Sequence, residues 1–189
     1  MQEASSYPCA GIKEQQMSTD QASFKRLIDI GISLSAEKDT DKLMESILLE
    51  AKDIGNADGG TLYRRTRENT LTFEILRNDS LGIAQGGTTG VSVDIPPQLM
   101  YDETGEPNYS QIVSNAALSG QTLNIADAYD STDFDFSGTK RFDEGTGYRT
   151  KSVLTVPLKN SQDDVIGVLQ LLNAQDPETG EVVAFSSEI

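Results

Sequence analysis

Three features of the chain predict an α+β fold. Two apolar stripes near the start repeat at helical spacing, three runs in the middle alternate at a period of two, and two Val/Leu-rich runs near the end are joined by a polar turn. Such a succession of hairpins, with helices grouped at the start, predicts an antiparallel β-sheet of about six strands with helices packed on one face.

Ser18 and Gln21 have capping-box spacing, and Phe24, Leu27, Ile28, Gly31 and Leu34 follow at helical intervals, so a first helix is expected to about Ser35. Asp39 or Thr40 can cap a second helix whose apolar face is Leu43, Ile47, Leu48, Ala51 and Ile54, with Gly55 placed to end it. Thr61-Leu62-Tyr63 and the alternating Leu71, Phe73 and Ile75 form a hairpin through Arg67-Glu68-Asn69. A bend at Gly86-Gly87 precedes an expected strand with Val91, Val93 and Ile95, which Pro96-Pro97 stops.

Asp102 to Asn108 is polar and reads as a loop. Tyr109 to Ser119 reads as a short helix with Gly120 as its left-handed cap, and a long loop starts at Asp127. Ser152 to Leu158 and Val165 to Leu172 are strands joined by the turn from Asn160 to Asp164. Pro177 to Gly180 is a turn, and Phe185-Ser186-Ser187-Glu188 begins a closing helix. The organisation expected is a disordered polar tail over 1–20 and one domain over 21–189, cut at the start of its C-terminal helix.

The 189 residues fit one domain plus tails, and at 37% hydrophobic they can bury a substantial core. Thirty acidic against fifteen basic residues give a net charge of −15, a field that repels phosphate backbones and anionic lipid. Neither nucleic acid nor membrane is therefore an expected partner. No run has the length of a spanning helix and the start lacks a signal-peptide core, so a cytoplasmic location is expected. Cys9 is the only cysteine, which excludes disulfide scaffolding and thiolate zinc sites. There is no histidine, which removes the commonest general base and every Ser-His or Cys-His arrangement, so no enzymatic activity is expected.

A set of ordered pieces carries a family resemblance: Gly120 with Leu123-Asn124-Ile125, Asp127-Ala128-Tyr129, Gly147-Tyr148-Arg149-Thr150, Ser152-Val153-Leu154, Val156-Pro157-Leu158 and Ile166-Gly167-Val168. Together they resemble a GAF domain, a sensory and ligand-binding module, over roughly Phe24 to Phe185. The resemblance is strongest toward the cyclic-nucleotide-binding members found in phosphodiesterases and bacterial cyclases.

That resemblance implies a set of ligand-binding positions. Thr61 falls where the first strand offers a hydroxyl to the base, and Asn78 or Asp79 where the end of the second strand contacts the purine edge. Ile112 and Val113 fall at the start of a short helix whose backbone amides take the cyclic phosphate. Free N–H groups at a positive helix end suit an anion without Arg or Lys. Phe136 lies near an aromatic that covers the base, and Asp143, Thr146 and Thr150 fall at polar positions of the following helix. Thr146 and Thr150 also fit a plain capping and back-bonding role.

The family's Asn-Lys, Phe, Asp-Glu brace is incomplete, since Ala174 follows Asn173 and Ser186-Ser187-Glu188 follow Phe185. Bilin attachment needs a placed cysteine and haem an axial ligand, and the composition supplies neither.

One rival motif is present. Asp133, Asp135, Ser137, Gly138 and Glu144 have the ligand spacing of an EF-hand calcium loop, with Lys140 at its usually apolar position eight and no flanking helices. It reads as a solvated acidic loop, and no metal is expected. The sequence thus predicts a regulatory sensor with no required cofactor, taking cAMP or cGMP as a small-molecule ligand, homodimeric through its leading helix and acting on a linked output domain. The alternative is a structural dimerisation module without a ligand.

Overall fold

The computed structural model describes residues 25, 28–32 and 34–186; the expected tail over 1–20, Phe24 and Leu27 lie outside them. The chain divides into two units, Met1–Asp39 and Thr40–Ile189. In the first, residues 28–32 and 34–36 are helical, and Ile28 and Ile32 are exposed. These two lie on one side of that helix, four positions apart.

The second unit begins with α1 (Thr40–Ile54), as its apolar spacing predicts. Gly55 follows its last turn, but the left-handed residue there is Asn56, at φ 43°, rather than the glycine. The expected first hairpin is β1 (Ala57–Arg65) and β2 (Thr70–Asn78), with left-handed Asn69 in its turn. The closing hairpin is β6 (Val153–Lys159) and β7 (Val165–Gln175).

Between these hairpins come β3 (Ile83–Gly86), β4 (Gln98–Leu99), α2 (Ile112–Ser119), β5 (Leu123–Ile125) and α3 (Ser137–Thr146), and β8 (Val182–Val183) follows them. The sheet runs β3-β2-β1-β7-β6-β5, with β4 paired to β2 and β8 to β7, and every pairing is antiparallel. The α+β class and the antiparallel sheet are as predicted.

Three expectations change. Residues 91–97 form no strand; Val91 and Ile95 are exposed, and Gly86 donates its N–H to the Val91 carbonyl at 2.7 Å, closing a loop instead. The two prolines after Ile95 leave that segment short of ladder donors. The outer strand is β3, which ends at Gly86, where φ is +72° and a Cβ would lie 1.8 Å from the Glu74 carbonyl oxygen. The long stretch after Asp127, a loop by its composition, contains α3, which carries Asp143 and Thr146 as the family resemblance implied, while Thr150 lies beyond its end. Residues 184–186 are not helical, and 187–189 lie outside the described residues.

Helices cover both sheet faces rather than one. Along each strand successive side chains point to opposite faces, so two cores form. On one face Leu48 of α1 packs with Leu62, Ile75, Leu154, Leu169, Leu171 and Phe185. The approach is close: a Cβ at Gly60 would sit 2.8 Å from Leu48 Cδ1 and 3.1 Å from Lys52 Cγ. On the other face Ile112, Val113, Ala116 and Ala117 of α2 pack with Tyr63, Leu71, Val153 and Val168, joined by Phe136 at the entry to α3. This second face positions the candidate site.

Candidate functional site

The floor is a row of polar side chains inside an apolar sheet. Thr61 of β1 pairs with Gln170 of β7, which pairs with Thr155 of β6, so the three stand side by side on the face that α2 covers. Gln170 donates its Nε2 to Thr155 Oγ1 at 3.2 Å and accepts from the Tyr63 hydroxyl at 3.4 Å. Thr61 and Thr155 are buried. Burial pushes the Tyr63 phenol well up, so it is neutral and can donate.

α2 packs on the same sheet face. Ile112 and Val113 are buried, and Gln111 at the N-cap makes no side-chain cap bond. The Gln111 side chain reaches instead to Asp135 Oδ2 at 3.1 Å, and Asp135 N–H donates to the Ser110 carbonyl, so the segment before α3 is tied to the segment before α2. Phe136 is buried beside Phe134, with ring centroids 6.4 Å apart and nearly perpendicular. Its ring sits in the core beneath the helices.

α3 has a poor helical composition, with Gly138 and Gly145 in ten residues, and is held by its ends. Asp135 Oδ1 accepts the Ser137 N–H at 2.9 Å. The amide of Ser137 and its hydroxyl are the chief reasons the Asp135 carboxyl titrates below its usual range. Asp143, on the buried side of α3, accepts from Thr150 N–H at 2.8 Å, Thr150 Oγ1 at 2.9 Å and the Tyr129 hydroxyl at 3.1 Å. The Arg149 guanidinium stacks 3.5 Å from the centre of the Tyr129 ring.

Three positions before Thr61 on β1, Asp58 is buried. It accepts Ser80 N–H, Ser80 Oγ at 2.7 Å and the Tyr148 hydroxyl at 2.6 Å. Burial first and the Asp58 carboxylate second push the Tyr148 phenol up, which keeps it a donor.

Asn78 and Asp79 part company. Asn78 is buried and accepts the Leu81 N–H at 2.8 Å. Asp79 turns its largely exposed carboxylate to Lys52 of α1, 2.6 Å away. A depression of about 220 Å³ beside that pair is lined by Lys52, Asp53, Asn56 and Asp79, among others, on the α1 side of the domain.

The expected site residues therefore fall into groups. Ile112, Val113 and Phe136 share one core between the sheet and α2, Thr61 is buried on that sheet face, and Asp143 and Thr150 bond to each other. Asn78 borders the Asp58–Tyr148 cluster. Thr146 is exposed and back-bonds to the Phe142 carbonyl at 2.8 Å, the capping role its spacing allowed. Gln170, Thr155 and Tyr63 were not anticipated; the signal for them was a lone polar residue inside each of two apolar strands.

Asn173, left-handed at φ 56°, braces the exit from α3 by accepting the Lys151 N–H and donating to the Arg149 carbonyl. The calcium spacing dissolves in three dimensions. Residues from Ser137 to Glu144 are helical, and Asp135, just before that helix, spends Oδ1 on the Ser137 N–H, so the motif does not form a loop. No group of three or more Asp, Glu, His or Cys side chains suited to a metal occurs among the described residues.

A family model for the GAF domain matches residues 39–188. The chain belongs to the GAF domain family. This GAF domain is 43% identical over 151 residues, 71% of its length, to the dual 3′,5′-cyclic-AMP and -GMP phosphodiesterase 11 of Drosophila melanogaster. It is 38% identical over 77 residues, 41% of its length, to phosphodiesterase 11A of Takifugu rubripes. It spans about a tenth of the length of these relatives, 10% and 8% respectively.

Among solved structures, the GAF domain of an Acinetobacter phosphoenolpyruvate-protein phosphotransferase superposes with a TM-score of 0.58 at 14% identity, covering 87% of this chain and 81% of the other. The free methionine-R-sulfoxide reductase of Neisseria meningitidis gives 0.53 at 15% identity, covering 85% and 74%. At those identities the likeness is one of fold.

Proposed function

We propose that this GAF domain is the ligand-binding sensor of a longer signalling protein, that its ligand is a purine cyclic nucleotide, cAMP or cGMP, and that it regulates a linked output domain without itself catalysing a reaction. The observation that carries the reading is the Thr61–Gln170–Thr155 row. Hydrogen-bonding side chains are costly in an apolar interior unless partnered, and a few convergent polar groups among hydrophobic walls are what a small-ligand site requires.

The row shares its sheet face with α2, whose first backbone amides suit a cyclic phosphate in a protein of net charge −15. Its ribose and base would lie toward Phe136 and Asn78. The relationship to a dual cyclic-nucleotide phosphodiesterase points the same way.

In this reading Thr61, Gln170 and Asn78 meet the base, the amides of Ile112 and Val113 the phosphate, and the segment through Asp143, Thr146 and Thr150 closes over it; Asp79 acts through its position at the end of β2. The ligand shifts an open–closed equilibrium because it binds the two states differently. Homodimerisation through the leading helix, with its exposed Ile28 and Ile32, and a cytoplasmic location complete the proposal. No helix among the described residues is long and apolar enough to cross a membrane.

One observation favours the ligand-free structural module instead: Gln170 already bonds Thr155 and Tyr63, and Asp143 already bonds Thr150. Calorimetry decides between them. Protein shown to be ligand-free by native mass spectrometry should release or absorb heat with cAMP or cGMP at micromolar concentration, and a flat titration with both would leave the structural reading.

A further inference from the structure

α1 is fastened to the end of β2 by two ion pairs of opposite sense. Glu45 pairs with Arg77, both largely buried, and Lys52, with its side chain 7% exposed, pairs with Asp79 at 2.6 Å. Glu45 and Lys52 are seven positions apart, two turns of one helix face, and Arg77 and Asp79 are two apart on β2 and the residue that follows it. The order of charges is negative then positive on the helix, and positive then negative on the strand. The helix therefore sits in one register, because a slide along the strand brings Lys52 toward Arg77.

Each pair reaches further into the loops. Arg77 donates to the carbonyls of Leu76 and Gln85, at 2.9 and 2.6 Å, and the second carboxylate oxygen of Glu45 takes the amide and hydroxyl of Thr88, at 2.8 and 2.5 Å. At the strand end the neighbours part: Asn78 is buried, its Nδ2 3.1 Å from where a Cβ on Gly59 would sit, and takes the Leu81 N–H, while Asp79 turns to α1.

We propose that Lys52 and Glu45 are positioning residues for the ligand site, and that this crossed clasp makes α1 the element that both sets and reports the geometry of the β2 end. The inference rests on the nucleotide reading above and adds its mechanical output. The strand end is a shared lever: what moves Asn78 on the ligand side moves Asp79 against Lys52. A ligand that fixes Asn78 thereby tightens the Lys52–Asp79 pair and holds α1 on the sheet, and a loosened pair lets Asn78 wander. Neither Lys52 nor Glu45 touches the ligand.

The test uses the whole chain, with cAMP and cGMP as probes, and combines calorimetry with hydrogen exchange of α1. Lys52→Met and Asp79→Asn should each weaken nucleotide binding by about five- to tenfold. The double variant should be no weaker than either, because both remove the same link. Lys52→Arg, which keeps the pair, should restore affinity. Arg64→Gln, which breaks the exposed pair with Glu74 at 2.8 Å, should leave it unchanged.

Nucleotide should slow exchange in α1 of the native chain and fail to do so in Lys52→Met. A fold check by circular dichroism accompanies each variant. If the native chain binds nucleotide while Lys52→Met and Asp79→Asn bind equally well and α1 exchange ignores the ligand, the clasp proposal is overturned and the site stands. If the native chain binds neither nucleotide, the site reading is overturned and the relay goes with it.

Discussion

Replacing Asp143 with Ala separates a brace from a ligand contact. The carboxylate is 2% exposed and accepts three bonds, two of them from Thr150, which is 1% exposed. Its loss strands the Thr150 amide and hydroxyl in the interior, at about 1–3 kcal/mol for a buried unpartnered donor. The Tyr129 hydroxyl is only half-buried and can turn to water, so it adds little. The Thr150 hydroxyl can rotate, so the sum should stay near 2–4 kcal/mol.

For a domain of this size each kilocalorie shifts Tm by about 2–4 °C, so a fall of roughly 4–16 °C is expected by calorimetric or fluorescence melting of the ligand-free protein. Thr150→Val, which keeps the amide bond, should cost about 1 kcal/mol. A Tm within 2 °C or so of the native value, coupled with abolished nucleotide binding, would refute the reasoning, because Asp143 would then serve the ligand rather than the exit of α3.

Glu45 gives a pH signature. Burial works to raise its pKa, but the Thr88 hydroxyl and amide and the Arg77 guanidinium outweigh it and hold the carboxyl below its ordinary 4.5. A depressed folded value means its stabilisation is complete above the ordinary value and disappears as pH falls through the folded one, so chemical denaturation from neutral to acid should show that loss, and Glu45→Gln should remove it. Deleting the residues before Asp39 should convert a dimer to a monomer by light scattering; a persistent dimer places the interface elsewhere. Calcium titration should reveal no binding tighter than about 10 μM, since the EF-hand spacing is spent on α3, and a tighter site would require that helix to unwind.

The periodic parts of the fold were legible because burial imposes the period. Leu43, Ile47, Leu48 and Ala51 could only be a helix face, and Leu71 and Phe73 only a strand face. The three-residue β5 lies below the length at which alternation can be counted. The stretch from Val91 to Ile95 alternated without being buried, so its pattern had no core behind it. α3 carries no apolar period of its own, with Gly138 and Gly145 among polar residues, so only the family resemblance implied a helix there.

The candidate site was proposed only through likeness of pattern to a family, and three of its residues, Ile112, Val113 and Phe136, share one core. Gln170 and Thr155 were missed because strands rich in Val and Leu draw attention to their apolar residues. Arg77, 32 positions from Glu45, carries no local mark of its partner at all.

The floor of the site joins residues from opposite ends of the domain: Tyr63 and Gln170, which touch, are 107 positions apart in sequence. The two hairpins can form locally, but the β1–β7 seam between them closes the longest loop in the domain and is expected to zip late. The candidate site straddles that seam, so a ligand bound there would act as a staple across the last-formed junction. Nascent chains made in its presence would be drawn toward completion by mass action, and chains made without it would linger longest with β1 and β7 apart.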